Sequence, residues 1–201
     1  MLLCLGGLPA IAQTPVDVRR AQVEFLDDGV YFVAAVNFEL PKSLEDALQR
    51  GSPLFFVADV TLRRNRWYWR DEKIAEAQRL VRVEFVPLVR RYRVSTGGLS
   101  QNVDTLTEAL QIAQRGIRLK IAERGQLAID ERYRAEFNYK LDVTRMLRLF
   151  QFGAGEQRDM QIEAERRVNF SVPEKSPEPE KPSDKALDKA SDKATDKAAE
   201  K

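Results

Sequence analysis

The chain contains no histidine and a single cysteine among its 201 residues. Histidine is the commonest general base in enzymes, and histidine and cysteine are the usual ligands of zinc. The one cysteine, Cys4, lies in an N-terminal segment that we expect to be removed. The sequence therefore indicates no disulfide, thiol nucleophile, metal site or cofactor, and it assigns no catalytic residue.

Residues 1–12 (MLLCLGGLPAIA) carry no charge and end in an Ala-x-Ala pattern. This pattern predicts a secretory signal peptide cleaved before Gln13, and hence a periplasmic protein. No Lys or Arg precedes the apolar run, which a start codon assigned too late would explain. The run is shorter than the about 20 apolar residues of a membrane span, so no transmembrane segment is expected. Cys4 precedes most of the run, so a lipid anchor is not expected either.

The C-terminal segment, residues 173–201, differs in composition from the rest of the chain. It holds 7 Lys, no Arg and no aromatic residue, and it repeats Asp-Lys-Ala four times. A segment this polar buries too little apolar surface to offset its ordering entropy, so we expect a disordered tail. Residues 13–172, with 22 Arg and 4 Lys, are expected to form a single β-rich domain. The 26 basic and 23 acidic residues of this domain nearly balance, which does not indicate a nucleic-acid partner.

Apolar residues occupy every second position from Val30 to Leu40 and again from Tyr133 to Val143. A period of two predicts strands with one buried face, as in antiparallel sheets. Similar runs near residues 16–25, 54–62, 81–94 and 160–172, without a βαβ rhythm, predict a mainly β fold. We expect an antiparallel β-sandwich or open barrel of about seven to eight strands with two short helices.

Several local signals refine this prediction. The phase of the first strand slips at Arg19-Arg20, which predicts a β-bulge. Asp27-Asp28-Gly29 predicts a three-residue hairpin loop. The two helices are expected to begin with Ser43 and with Thr105 as N-caps, the second with a capping box. Arg166 falls on the apolar face of the last strand, for which we expect a second bulge at Arg166-Arg167 rather than a paired or rim position.

Three motifs resemble a known bacterial family. They are RWYWRDEK at residues 66–73, RYRVSTGGL at residues 91–99, and the segment from FELP at residue 38 to Gly51. Together they resemble the exported family catalogued as domain of unknown function 4390, over most of residues 16–172. The resemblance implies an envelope location and names no activity. Members of that family occur beside a sensor-kinase gene, which suggests a role as an accessory of an envelope sensor kinase.

The first candidate site is a binding surface formed by Arg66, Trp67, Trp69, Arg70 and Asp71. Trp and Arg are enriched at binding hot spots, and a guanidinium stacks well on an indole ring. The alternative is that the two Trp side chains close one end of the sandwich while the charges solvate its rim. We favour this structural role, because Trp has the largest apolar area to bury.

Other candidates are weaker. Gly97 and Gly98 could form a backbone nest that binds an anion, although a loop between two elements is favoured. The pairs Asp71-Glu72 and Asp130-Glu131 could serve a carboxylate-dependent hydrolase, but solvated turn residues are favoured. We therefore expect a non-enzymatic module that binds an envelope protein or polymer, through the Arg66–Arg70 surface or an exposed sheet edge. The accessory role and the hydrolase remain alternatives, and the sequence carries no signal for oligomeric state.

Overall fold

The computed structural model describes residues 16–65, 71–123, 125–147 and 161–173. This part of the chain forms nine strands and three short helices, which confirms a mainly β fold. In chain order they are β1 (Asp17–Leu26), β2 (Gly29–Asn37), α1 (Lys42–Gln49), β3 (Leu54–Arg64), β4 (Glu72–Val86), β5 (Arg91–Thr96), β6 (Leu99–Val103), α2 (Leu106–Gln114), β7 (Ile117–Glu123), β8 (Arg132–Leu141), α3 (Val143–Leu147) and β9 (Glu163–Ser171).

The strands form two antiparallel sheets that pack as an open sandwich. The first sheet has the order β1-β2-β7, and the second has the order β6-β5-β4-β3-β8-β9. Alternate residues of β2, β3 and β8 point between the sheets, as their sequence periodicity predicts. The rings of Phe32 and Phe137 stack there at 5.3 Å, and Phe56 stacks on Tyr139 at 6.1 Å. These aromatic side chains, contributed by both sheets, define the core.

The local signals in β1 and α2 are largely confirmed. The β1–β2 register shifts between Val18 and Arg20, where the bulge was predicted. The side chain of Thr105 accepts a hydrogen bond from the Glu108 backbone N–H at 3.2 Å, so Thr105 is the N-cap of α2. The first hairpin is also present. Its register pairs Leu26 with Gly29, however, so the loop has two residues rather than three.

Two predictions were wrong. Pro41 rather than Ser43 is the N-cap of α1, and the Ser43 hydroxyl is buried without a hydrogen-bond partner in the described structure. The β8–β9 register runs without a shift, so there is no bulge at Arg166-Arg167. Arg166 instead lies at an exposed edge of the sandwich, where the aliphatic stem can stay on the apolar face while the guanidinium reaches water.

Two arginines bridge the two sheets at the open sides of the sandwich. Arg166 donates from Nη2 to the carbonyl of Val18, 3.4 Å away, across the seam between β9 and β1. On the opposite seam, Arg79 of β4 donates from Nη1 to the carbonyl of Gly116, 2.6 Å away, just before β7. In their strands, both arginines lie at alternate positions that face the interior of the sandwich. Each therefore links the two sheets where no backbone ladder does so.

The phenol of Tyr139 gives a pH-dependent test of this core. Burial raises the pKa of Tyr139 far above its ordinary value near 10, and the nearby Arg79 charge offsets this only in part. A raised folded-state pKa stabilises the fold fully below about pH 10, and that contribution is lost as the pH rises further. We expect phenolate absorbance in an alkaline titration to show that Tyr139 ionises only on unfolding. The Tyr139→Phe variant should lack that delayed step, and an unchanged titration in this variant would contradict the assignment.

Candidate functional site

The edge of β4 is open along part of its length. β4 has 15 residues, but β5 pairs with it only from Val81 to Val86, because β5 ends at Thr96. Among the described residues, residues 75–80 are paired on the β3 side alone. In an antiparallel strand, alternate residues turn both backbone N–H and C=O to the same side. On the side away from β3, this stretch therefore presents ladder groups that no described strand pairs.

A groove of about 760 Å³ lies along this edge. Its opposite wall is the start of β7, from the other sheet, and one end is the turn that follows β5. We call it the β4–β7 groove, and its lining residues are Phe55, Gln78, Arg79, Leu80, Arg82, Ser95, Thr96, Gly97, Gly98, Gly116, Arg118 and Leu119. Among the described residues, the lining includes three arginines and no acidic side chain, so it favours an anionic ligand.

The three arginines are held in different ways. Arg79 is half-buried, and burial lowers the pKa of its guanidinium from the usual value; the group bonds the Gly116 carbonyl. Arg118 lies over the ring of Tyr31, with 4.8 Å from guanidinium carbon to ring centroid. Arg82 pairs with Glu84 and lies 5.9 Å from the Phe55 ring centroid. Among the described residues, neither Arg79 nor Arg118 forms an ion pair with a carboxylate, although Asp28 lies near enough to Arg118 for the guanidinium charge to help lower the pKa of Asp28.

Gly97 and Gly98 form the two-residue turn between β5 and β6. Their φ angles are +55° and +87°, the left-handed values that the turn of a tight hairpin requires. The favoured interpretation as a loop is therefore confirmed. The turn also borders the β4–β7 groove, which brings its backbone close to the three arginines. The anion-binding role of Gly97 and Gly98 stays a prediction, and the structure shows that arginines line the same groove.

The predicted Trp–Arg surface lies mainly outside the described residues. Arg66, Trp67, Trp69 and Arg70 fall in the segment that connects β3 to β4, between two described stretches. Asp71 is described, and its carboxylate accepts from Nη1 of Arg134 on β8 at 3.0 Å. Asp71 thus serves an ion pair at the end of the six-stranded sheet.

Other carboxylates are also engaged in pairs. Glu131 lies 2.9 Å from Nε of Arg64, and Tyr133 donates its hydroxyl to the same carboxylate at 3.3 Å. On the outer face of the six-stranded sheet, one shallow depression is lined by several carboxylates, namely Asp59, Glu76, Glu136 and Glu165. Three of these have polar partners: Gln78 donates to Asp59, Glu76 pairs with Lys73, and Glu136 pairs with Arg63. This arrangement does not favour the hydrolase alternative.

The described residues contain no group of three or more acidic, histidine or cysteine side chains placed to hold a metal ion. None of the described helices has the length and hydropathy needed to cross a membrane.

Fold and groove together define a class: an open antiparallel β-sandwich with an arginine-lined groove at an exposed strand edge. The chain belongs to the family described as Domain of unknown function (DUF4390), whose model matches residues 13–169. This confirms the family that the three sequence motifs indicated. No curated protein and no solved structure matches the chain.

Proposed function

We propose that this protein is an exported, non-enzymatic binding module of the bacterial cell envelope that holds a second macromolecule in the β4–β7 groove. The observation that carries the proposal is the open edge of β4 beside two guanidinium groups that form no ion pair among the described residues. An unpaired edge binds chain segments through its backbone, and the charges select among them. We favour the groove over the Trp–Arg surface, because the strand edge and the arginines that support it lie among the described residues.

Export is supported by the uncharged N-terminal run that ends in Ala10-Ile11-Ala12. Mass spectrometry of the protein purified from a periplasmic fraction should find a mature N-terminus at Gln13. A chain that keeps Met1 and fractionates with the cytosol would contradict export.

The groove itself is tested by reversing its charges. The double variant Arg82→Glu/Arg118→Glu places two carboxylates where two guanidinium groups stand, so an anionic partner should lose affinity about 100-fold or more. Immobilised wild-type and variant proteins would be incubated with an envelope fraction at matched salt concentration. At least one component should be retained by the wild type and lost with the double variant.

Arg50→Glu is the matched control, because Arg50 is exposed at the end of α1 and does not line the groove. It should retain the same components as the wild type. Retention of an identical set by all three proteins would refute the groove as the binding site. A sensor-kinase ectodomain among the components lost with the double variant would identify the partner as the kinase.

A further inference from the structure

We infer that the β4–β7 groove takes an acidic polypeptide segment, which adds as a strand to the open edge of β4 in line with β5. This inference rests on the proposed function and specifies the class of partner. It combines three independent features of the groove: a backbone edge without a described ladder partner, two arginines that form no ion pair among the described residues, and glycine backbones at its end.

The backbone edge selects a polypeptide over other anionic polymers. Residues 75–80 of β4 present backbone N–H and C=O groups at regular intervals, and a neighbouring strand could form hydrogen bonds with them. Only another peptide backbone offers complementary groups at the same repeat of about 3.4 Å. A polyphosphate or polysaccharide anion would meet the arginines but leave this ladder unmade. The open edge therefore favours strand addition, a common mode of peptide recognition.

The charge of the groove selects acidic side chains. Arg79 donates from Nη1 to the carbonyls of Gly116 and Arg115, which leaves the donors on its other guanidinium nitrogens available to a ligand. The guanidinium of Arg118 lies over the Tyr31 ring, which orients its planar group. A carboxylate can accept two parallel bonds from one guanidinium, which a basic or neutral side chain cannot do.

Glycines keep the ends of the groove open. A Cβ atom built on Gly97, Gly98 or Gly116 would meet no atom within 4 Å, so the space beside these backbones is free. β5 stops at this point, and no described strand continues its ladder with β4 beyond Thr96. An incoming segment would continue the line of β5 along β4.

The apolar part of the lining sets a second requirement on the segment. Phe55, Leu80 and Leu119 lie among the arginines in the same groove. Successive side chains of a strand point to opposite faces, so one face of the segment can carry carboxylates while the other covers apolar surface. The expected ligand alternates acidic and apolar residues.

The probe is a fluorescein-labelled peptide of about six residues, a common strand length, that alternates glutamate and valine. Its binding to the full chain would be followed by fluorescence anisotropy. The same peptide with lysine for glutamate tests the charge. A copy with N-methyl groups on alternate amides keeps the charge but removes ladder donors. Inorganic polyphosphate serves as an anion without a peptide backbone.

The acidic peptide should bind, and both peptide controls should bind at least about tenfold more weakly, which corresponds to about 1.4 kcal/mol. Arg118→Glu should weaken the acidic peptide by a similar factor, whereas Arg50→Glu should not. Equal binding of the acidic and N-methylated peptides, or tighter binding of polyphosphate, would overturn strand addition.

The outcome is distinguishable from failure of the proposed function. If no acidic peptide binds but the double variant still loses an envelope component, the peptide inference is wrong and the groove remains a binding site. If the double variant retains every component, both are wrong.

Discussion

Truncating Phe32 to alanine is expected to lower the free energy of unfolding by about 3–5 kcal/mol. Phe32 is fully buried, and its ring stacks on Phe137 of the opposite sheet at 5.3 Å. Removal of the ring loses the transfer free energy of its apolar atoms and leaves a cavity between two sheets whose backbones cannot close on it. A loss of this size is a large part of the stability of a typical domain.

Urea unfolding monitored by circular dichroism would measure the change, with Phe55→Ala as the matched control. The same atoms are removed in both variants, but Phe55 is half-buried on the outer face of β3. We expect the control to cost about 1 kcal/mol. Equal losses in the two variants would mean that the stacked pair is not the centre of the core.

The second large effect is expected at Gly29, at the start of β2. Gly29 is buried and has a φ of +157°. A Cβ atom there would lie 2.7 Å from the backbone oxygen of Ala122 and 2.6 Å from Cε of Lys120. The lysine can move away, but the carbonyl belongs to the β2–β7 ladder, in which Val30 pairs with Ala122. Gly29→Ala should therefore destabilise the fold by about 3 kcal/mol, through backbone strain and overpacking.

Gly125→Ala separates these two causes. Gly125 also has a positive φ, +77°, but a Cβ atom there would meet nothing within 4 Å. This variant should cost only the conformational strain, about 1 kcal/mol. In thermal unfolding, the Gly29→Ala variant should have a clearly lower midpoint temperature than the Gly125→Ala variant. A reversed order would show that β7 does not approach β2 as closely as described.

The sequence predicts most of the strands that have one buried face, and it misses β6 and β7. β2, β3 and β8 alternate because one side of each faces the core, and this periodicity is visible without a structure. β6 was missed because four of its five residues are exposed, so it carries no alternation. β7 was also missed, although Ile117, Leu119 and Ile121 do alternate. This alternation is visible in the sequence and predicts a strand.

Arg166 shows a different limit. A charged residue at a core-facing strand position can be paired, exposed at the rim or displaced by a bulge. The sequence does not say which, because it does not show where the edge of the sheet will lie. Because β9 is an edge strand, its guanidinium reaches the seam with β1 and bonds the Val18 carbonyl without a bulge. The position of Arg166 is thus a consequence of sheet order, which is a tertiary property.

The groove could be predicted only in part. Gly97 and Gly98 were identified as a possible anion site from the local sequence. Arg79, Arg82 and Arg118 were not, because they lie on two strands that come together only when the sheets pack. The open β4 edge follows from β4 being much longer than β5, and no local pattern reports relative strand lengths.

The most direct test of the account is photo-crosslinking in living cells from a groove position. Gln78 lines the β4–β7 groove and is exposed, so a photoreactive residue there would contact a bound segment. We predict a crosslinked adduct from position 78 that disappears with Arg118→Glu and is not formed from Gln49, an exposed position on α1. No adduct from position 78, or an adduct unaffected by Arg118→Glu, would contradict the groove as the binding site.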